Sequence, residues 1–422
     1  MKGTEIMKKT VFINCMEEIT ANRKRRKARK LLKAGLKESA QMQTHAATAA
    51  PVCTTTKPYI LPPVEGNMTY HLSWGTRNTT EEANVIISVL NAFRLRSTIT
   101  KINQGPRLTQ YVIEPAPGTQ VQAILKREKE FQAALHCNAS LRFDNGYVYI
   151  EVPTGTETVF LGDMLIDNNF KSSNGFTMAI GMGVDGSKHY IDIEKAYHIL
   201  ISGMTGSGKS IVLHNLILSL LMKKDPKQMH LYIVDPKANE FEYYKNLKIC
   251  TVISEAYSAI DLLKNLCTEM DRRYSVLASA GCRDIDSYNA RFTDTPMRRD
   301  IIVIDELSDL MYTGGKAVED SIVRLAQKAR ACGIHLIIAT QYPVAKVVTG
   351  LIKANMPTKI CLRVGTVTNS MVALDMTGGE KLLGNGDMLF LPNGAITPIR
   401  LQGGYVSEKA INNVVFELMK NQ

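Results

Sequence analysis

Three consecutive stretches decide the fold: Ile199-Leu200-Ile201-Ser202, then Gly203-Met204-Thr205-Gly206-Ser207-Gly208-Lys209-Ser210, then Ile211–Met222. The first is an apolar run of strand length. The second fits the phosphate-loop pattern G-x-x-x-x-G-K-[ST] at every fixed position, and the third reads as an apolar helix. Glycines let the backbone wrap closely, so that successive N–H groups face phosphate oxygens. In that geometry Lys209 reaches the β and γ phosphates and Ser210 holds a metal. Gly203 through Ser210, with Ile211, then make up the nucleotide contact. The pattern therefore predicts ATP and Mg2+ as cofactors.

Further apolar strands repeat the theme. Ile301-Ile302-Val303-Ile304 ends in Asp305 and Glu306. Asp305 is placed to complete the magnesium shell, and Glu306 to orient and deprotonate the attacking water. An adjacent Glu argues for hydrolysis with turnover. His335–Ala339 ends in Thr340 and Gln341, and Gln341 is a candidate for sensing the γ phosphate or positioning the water. Asp235-Pro236-Lys237 closes the strand His230–Val234, where Lys237 faces phosphate, a neighbour or solvent. Arg324, Lys328 and Arg330 precede the Gln341 strand on a helix; each is either a finger acting on a neighbour's nucleotide or part of a solvated face. Lys359–Val364 and Asp387–Leu391 complete the strand set, with helices starting near Lys209, Ala256 and Glu319. Strand and helix alternation predicts an α/β fold with a mainly parallel sheet.

Upstream, residues 80–193 read as a smaller α+β domain, with a helix over Glu81–Leu95 and strands at Leu108–Ile113 and Val148–Val152. Residues 194–422 form the phosphate-loop domain, and residues 1–79 a basic tail and linker. Of the +11 formal charge over 422 residues, residues 1–80 carry +9, leaving +2 for the rest. The high pI describes the tail and says little about the body. Its focus is Arg23–Lys30, with seven cations in eight positions. That run suits a phosphate-backbone clamp, a protein or membrane-surface tether, or a solvated basic face. No run has the roughly 18 apolar residues of a membrane span, so no integral membrane segment and a cytoplasmic location are expected. None of the eight cysteines stands in a CxxC pair, which points to a reducing compartment and no zinc.

Taken together, several segments resemble the FtsK/SpoIIIE family of DNA translocases. They are residues 203–210, V-D-P-K at 234–237, E-M-D-R-R-Y at 269–274 and I-I-V-I-D-E-L-S-D-L-M at 301–311. R-L-A-Q-K-A-R-A-C-G-I-H-L-I-I-A-T-Q at 324–341, T-G-L-I-K-A-N-M-P-T-K-I at 349–360 and L-L-G-N-G-D-M-L at 382–389 extend the likeness. G-P-R-L-T-Q-Y-V-I-E-P-A-P-G at 105–118 looks like the family's smaller α domain, which stacks on a RecA-like motor. The resemblance implies a hexameric ring that pumps double-stranded DNA, with Lys209, Ser210, Asp305, Glu306 and Gln341 as the hydrolysis set. It implies DNA-facing loops for which Gly281–Tyr288 and Thr366–Ser370 are candidates.

The departures matter as well. Tyr342 stands where the family has Arg before Pro343, Lys359 replaces another Arg, and no Arg occurs near Asn369–Met371. Neither a membrane domain nor a winged-helix domain is visible, which suits a mobile-element protein working with a relaxase or recombinase in conjugation. A single-strand helicase or packaging ATPase is the alternative within enzymes. An ATP-gated DNA-tethering adaptor is the alternative outside them.

Overall fold

Ile199–Ser202 is a strand in which every side chain is buried, as a strand covered by helices on both faces requires. Its residues split by period two between two cores. Ile199 and Ile201 join one, with the helix Lys209–Leu221. Leu200 joins the other, with the helices Ala256–Ser279 and Leu307–Lys328. The strands ending at Ile304 and Thr340 split in the same way: Ile301, Val303, Ile337 and Ala339 on one side, Ile302, Ile304, Leu336 and Ile338 on the other.

The computed structural model describes residues 61–64, 66–69, 78–153, 155 and 157–421, all within the unit Tyr59–Gln422. The basic run Arg23–Lys30 and most of the tail lie outside the described residues. The first sheet has strands β1 (Ser97–Gln104), β2 (Leu108–Pro115), β3 (Ser140–Asp144) and β4 (Tyr147–Pro153), antiparallel in the order β1-β2-β4-β3. Asn145 and Gly146, with φ 48° and 87°, make the tight β3–β4 turn. The helices Thr80–Ala92 and Glu128–Leu135 pack Ile86, Leu90 and Phe131 against Tyr111, Ile113 and Ile150 of this sheet.

The second sheet holds β5 (Thr177–Gly183), β6 (Lys188–Asp192), β7 (Ile199–Ser202), β8 (Met229–Val234), β9 (Cys250–Ile253), β10 (Arg299–Ile304), β11 (Ile334–Thr340), β12 (Thr358–Leu362), β13 (Asp387–Leu391) and β14 (Ile399–Gly403). Their order is β6-β5-β14-β13-β12-β7-β11-β10-β8-β9. The run from β12 to β9 is parallel, and the remaining strands are antiparallel. β5 and β6 hydrogen-bond to the edge at β14, so the small sheet ends at Pro153 and the boundary expected near residue 193 falls inside the large sheet's edge. The helical stretch Leu307–Lys328 is two helices joined across a non-helical Gly315, and the helix expected near Glu319 is the one that resumes after that kink. A Cβ on Gly314 would lie 2.6 Å from Val318 Cγ2 and 2.7 Å from Ile260 Cδ1, so the glycine permits close helix crossing. Gly315 takes φ 49° at the kink.

A buried ion network fastens the two sheets together. Arg400 on β14 donates to Glu151 on β4 and, at 3.1 and 2.7 Å, to both carboxylate oxygens of Asp387 on β13. Glu151 also accepts from Gln110 and Arg142, each at 3.1 Å. Burial alone would raise the Glu151 carboxyl, but Arg400 and Arg142 outweigh it and hold it below its ordinary value. Gly105 completes the seat: a Cβ there would lie 2.9 Å from Val184 Cα, backbone against backbone.

Two predictions follow from this packing. Arg400→Leu strands two buried carboxylates and should cost about 3–5 kcal/mol in urea unfolding, with part of the loss recovered in Arg400→Leu/Glu151→Gln; a loss below about 1 kcal/mol contradicts the network's role. Burial also depresses His198 and His214 to about 4 and His335 to about 3. Below about pH 6.5 the unfolded chain binds protons that these folded sites refuse. Stability should therefore be complete above about 6.5 and fall toward pH 4, each histidine contributing about 1.4 kcal/mol per pH unit. A melting temperature that stays flat between about pH 6.5 and 5 contradicts this.

Candidate nucleotide site

The parallel strands deliver their carboxyl ends to one edge of the sheet, where open α/β sheets bind ligands. β7 leads into the phosphate loop, β8 into Asp235, β10 into Asp305 and Glu306, and β11 into Gln341. The loop is pinned on both sides: Gly203 N donates to Thr340 O (3.1 Å) and Met204 N to Arg363 O (2.9 Å). Gly206 and Gly208 take φ 79° and 97°, the left-handed region that favours glycine. A Cβ on Gly203 would sit 2.5 Å from Ser207 Oγ, and one on Gly208 would sit 2.6 Å from Gly386 N.

This backbone leaves donors unused. Among the described residues the amides of Gly206 and Gly208 make no backbone hydrogen bond, and the buried Ser207 hydroxyl has no partner. The first amides of the helix Lys209–Leu221 are unpaired within it, as at any helix start. A concave set of donors at a helix N-terminus fits a phosphate chain.

Lys209 Nζ donates to Asp305 O and to Asp305 Oδ1, each at 2.6 Å, with both side chains buried. Glu306 caps the helix Leu307–Lys328. Its Oε1 accepts from Ser308 N (3.2 Å), Ser308 Oγ (2.8 Å) and Thr340 Oγ1 (2.7 Å), and its Oε2 accepts from Gln341 N (3.0 Å). Thr205 Oγ1 donates to Gln341 Oε1 at 2.9 Å, closing a ring of contacts from the loop to β11. Burial raises the Asp309 carboxyl and the charge of Glu306 adds to it; burial raises Glu240, helped by Asp305 and Asp235. The edge is thus an acidic cluster gathered round one buried ammonium, a setting that a divalent cation relieves. Ser210 and Asp305 are the residues that would hold Mg2+.

The structure therefore brings Lys209, Asp305, Glu306, Gln341 and Thr205 together. Ser207 is buried, Ser210 and Ile211 are half-buried on the first helical turn, and Met204 is exposed. Asp235 turns inward, its carboxylate accepting from the amides of Lys237, Glu240 and Phe241, while Lys237 points to solvent. Arg324 pairs with Asp271 at 2.6 Å, and Arg330 lies 3.3 Å from the centroid of the Tyr197 ring. Arg330 stands just before the amino end of β11, so it is not brought to this chain's own loop. Of the loop candidates, Gly281–Tyr288 runs into the helix Ile285–Arg291, and Thr366 caps the helix Val367–Leu374.

Sequence reasoning missed three features. Thr340, read only as a strand end, is a direct partner of Glu306. The stretch Gly384-Asn385-Gly386 takes φ 85°, 50° and 90° and lies on the loop, with Gly386 N donating to Ser207 O at 2.7 Å. Its two glycines around an Asn were the available signal. The third feature is a cleft of about 490 Å³ opening beside Gly208, Ile211 and Val212. Its far walls include Arg107, Phe160, Gly403 and Tyr405.

Comparison with known proteins agrees with this geometry. The FtsK/SpoIIIE family model matches residues 161–345, and the FtsK alpha domain model matches residues 67–154. The chain belongs to the FtsK/SpoIIIE family. Its larger domain is a P-loop ATPase domain of that family. DNA translocase SftA of Bacillus subtilis is 39% identical over 348 residues, covering 79% of this chain and 36% of SftA. DNA translocase FtsK of Caldanaerobacter subterraneus is 40% identical over 351 residues, covering 81% of this chain and 49% of that protein. The chain thus spans between about a third and a half of these relatives. Among solved structures, the pCW3 conjugation coupling protein TcpA in a monomer form with ATPγS is similar, at 26% identity and a TM-score of 0.58. That match covers 80% of this chain and 98% of TcpA. No helix among the described residues is long and apolar enough to cross a membrane.

Gly208→Ala combines a left-handed φ with a backbone clash and should abolish the rise in melting temperature that ATPγS produces. Gly206→Ala has open space around its Cβ and should lose only about 1–2 kcal/mol of loop stability. Equal thermal shifts for Gly208→Ala and wild type contradict this reading of the loop.

Proposed function

We propose that this chain hydrolyses ATP to translocate double-stranded DNA. The observation that carries the proposal is the buried Lys209–Asp305 pair with Glu306 beside it, at the tip of a phosphate loop. ATP, when bound, supplies the phosphoanhydride bond whose cleavage drives movement. Lys209 exchanges the Asp305 carboxylate for phosphate oxygens, and Asp305 and Ser210 are the residues that would hold Mg2+, which would offset the phosphate charge. Glu306 orients and deprotonates water once it gives up a hydroxyl partner, and Gln341, already bonded to Thr205, reports loop occupancy to β11. The DNA substrate is inferred from the family and from the relatives named DNA translocase.

The finer parts of the proposal are a hexameric ring, a cytoplasmic location, and work with a relaxase or recombinase in the transfer of a mobile element. The likeness to a conjugation coupling protein supports the last. Exposed Tyr342, Val344, Leu351, Val367 and Met371 support a face for association of copies. Their segments are linked, Asn369 donating to Pro343 O at 3.1 Å and Lys353 to Met371 O at 3.4 Å. Gly281–Tyr288 and Thr366–Ser370 remain the proposed DNA-facing loops, and Arg283 in the first is 92% exposed.

Triplex displacement on linear duplex DNA tests the proposal. The wild type should strip the third strand in an ATP-dependent way. Glu306→Gln should bind ATP but lose at least about a hundred-fold in turnover, with no displacement. A wild type that hydrolyses ATP without displacing the strand contradicts translocation.

A further inference from the structure

We propose that one end of the small domain, carrying Arg94, Arg96, Lys126 and Lys129, is a second contact surface for the phosphates of duplex DNA, continuous with the Thr366–Ser370 loop of the large domain. The proposal rests on the double-stranded DNA reading above and adds to it a site on the small domain.

Two segments build the surface. Residues 93–96 follow the helix Thr80–Ala92, and residues 126–130 span the junction of the helices Val121–Leu125 and Glu128–Leu135. They lie side by side. The Arg127 guanidinium sits 4.3 Å from the centroid of the Phe93 ring. Arg96 O accepts from Ala116 N and Thr119 Oγ1, each at 2.9 Å, in the turn that leads into Val121–Leu125. Together the segments hold five cations and two carboxylates. Both carboxylates are committed, Glu130 to Arg127 at 2.9 Å and Glu128 to Lys381 of the large domain at 2.7 Å. Arg94, Arg96, Lys126 and Lys129 are exposed, and among the described residues none of them pairs with a carboxylate. Residues 81–422 as a whole carry only +2, so four unpaired cations in one place are a local concentration. Such a patch is the electrostatic footprint of an anionic polymer.

Local folding does not account for these residue types. Leu95 N donates to Leu90 O (2.8 Å) and Arg94 N to Asn91 O (3.0 Å), which closes the helix Thr80–Ala92 with both leucines in the core. Arg94 takes φ 57° there, a position that favours glycine and costs another residue about 1 kcal/mol. The helix end attracts a cation by a similar amount, about 0.3–1 kcal/mol. That offsets the strain at Arg94 and says nothing for the other three. Lys129 stands in the first turn of its helix, the end that disfavours positive charge.

Contacts join this patch to the large domain. Lys381, the partner of Glu128, ends the turn Gly379–Lys381. Gly379 N donates to Ser370 Oγ at 3.0 Å, and Gly379 O accepts from Val364 N at 3.1 Å. Ser370 closes the loop Thr366–Ser370 proposed above to face DNA. The route from that loop through Gly379–Lys381 to Lys126–Lys129 is therefore continuous, contact by contact. A ligand that touches both ends must be long and negative along its length. Duplex DNA carries one charge per about 1.7 Å of axis. Exposed long cations suit its backbone, where contacts position the duplex without reading its sequence.

Salt titrations of the full chain with a labelled blunt-ended duplex and ATPγS test the surface. Arg94→Gly/Lys126→Gln/Lys129→Gln should weaken duplex binding at least about ten-fold at about 0.1 M salt and flatten the slope of log affinity against log salt by about 2–3. Lys245→Gln/Lys264→Gln/Lys420→Gln removes the same formal charge from ion-paired cations of the large domain and should leave the slope unchanged. Arg94→Gly alone relieves the left-handed backbone, so its melting temperature should stay at or above the wild type while the slope flattens by about 1. An unchanged slope in the patch variant would leave these cations to an acidic protein or to solvent and overturn the surface. An equal loss in the control variant would reduce the effect to net charge and overturn it as well. A wild type that binds no duplex even at low salt would instead sink the DNA reading itself, and this surface with it.

Discussion

The site is organised round one buried ammonium. Lys209 stands at the start of a helix and reaches across the sheet edge to the carbonyl and carboxylate of Asp305, with both side chains 3% exposed. A charge removed from water needs partners, and a carboxylate at 2.6 Å is one that competes with an incoming phosphate. The pair fixes the helix start against the end of β10, and so fixes the phosphate loop between β11 and β12. It also surrounds the site with acidic groups, including Asp309 and Glu240, whose carboxyls are pushed up by burial and by their neighbours.

The rest of the molecule is arranged to keep this edge in register. Parallel strands buried on both faces hold the loop, Asp235, Asp305 and Gln341 at one level. Glu306 caps a helix and at the same time ties to Thr340 and Gln341, so the proposed base is linked to the strand beside it. The small sheet is attached through the Arg400 network and through Gly105 at Val184, and its linker lines the same cleft as the start of the phosphate-loop helix.

Much of this was legible in the sequence where local chemistry decides the outcome. The strands Ile199–Ser202 and Asp387–Leu391 have the bounds read from their apolar runs, because the phosphate loop and the Gly384–Gly386 turn punctuate them. Lys209, Asp305 and Gln341 could be brought together in advance because each follows such a strand. Other features depend on contacts that sequence spacing does not carry. The kink at Gly315 and the close crossing of Gly314 against Ile260 are set by packing between helices. β5 and β6 fall before the boundary expected near residue 193, and only pairing with β14 puts them on the large sheet. The cleft needs Arg107, Phe160, Ile211 and Tyr405 at once, residues from four separate parts of the chain.

The account's central claim is that hydrolysis at Lys209, Asp305 and Glu306 drives movement along duplex DNA. Steady-state phosphate release at saturating ATP, measured against duplex length at constant base-pair concentration, tests it most directly. A motor spends more of its time in transit on longer duplexes, so turnover should be continuous, should rise with duplex length to a plateau, and should stay low on single strands. A single burst of release, or turnover that is the same with duplex, with single strands and with no DNA, would contradict the claim.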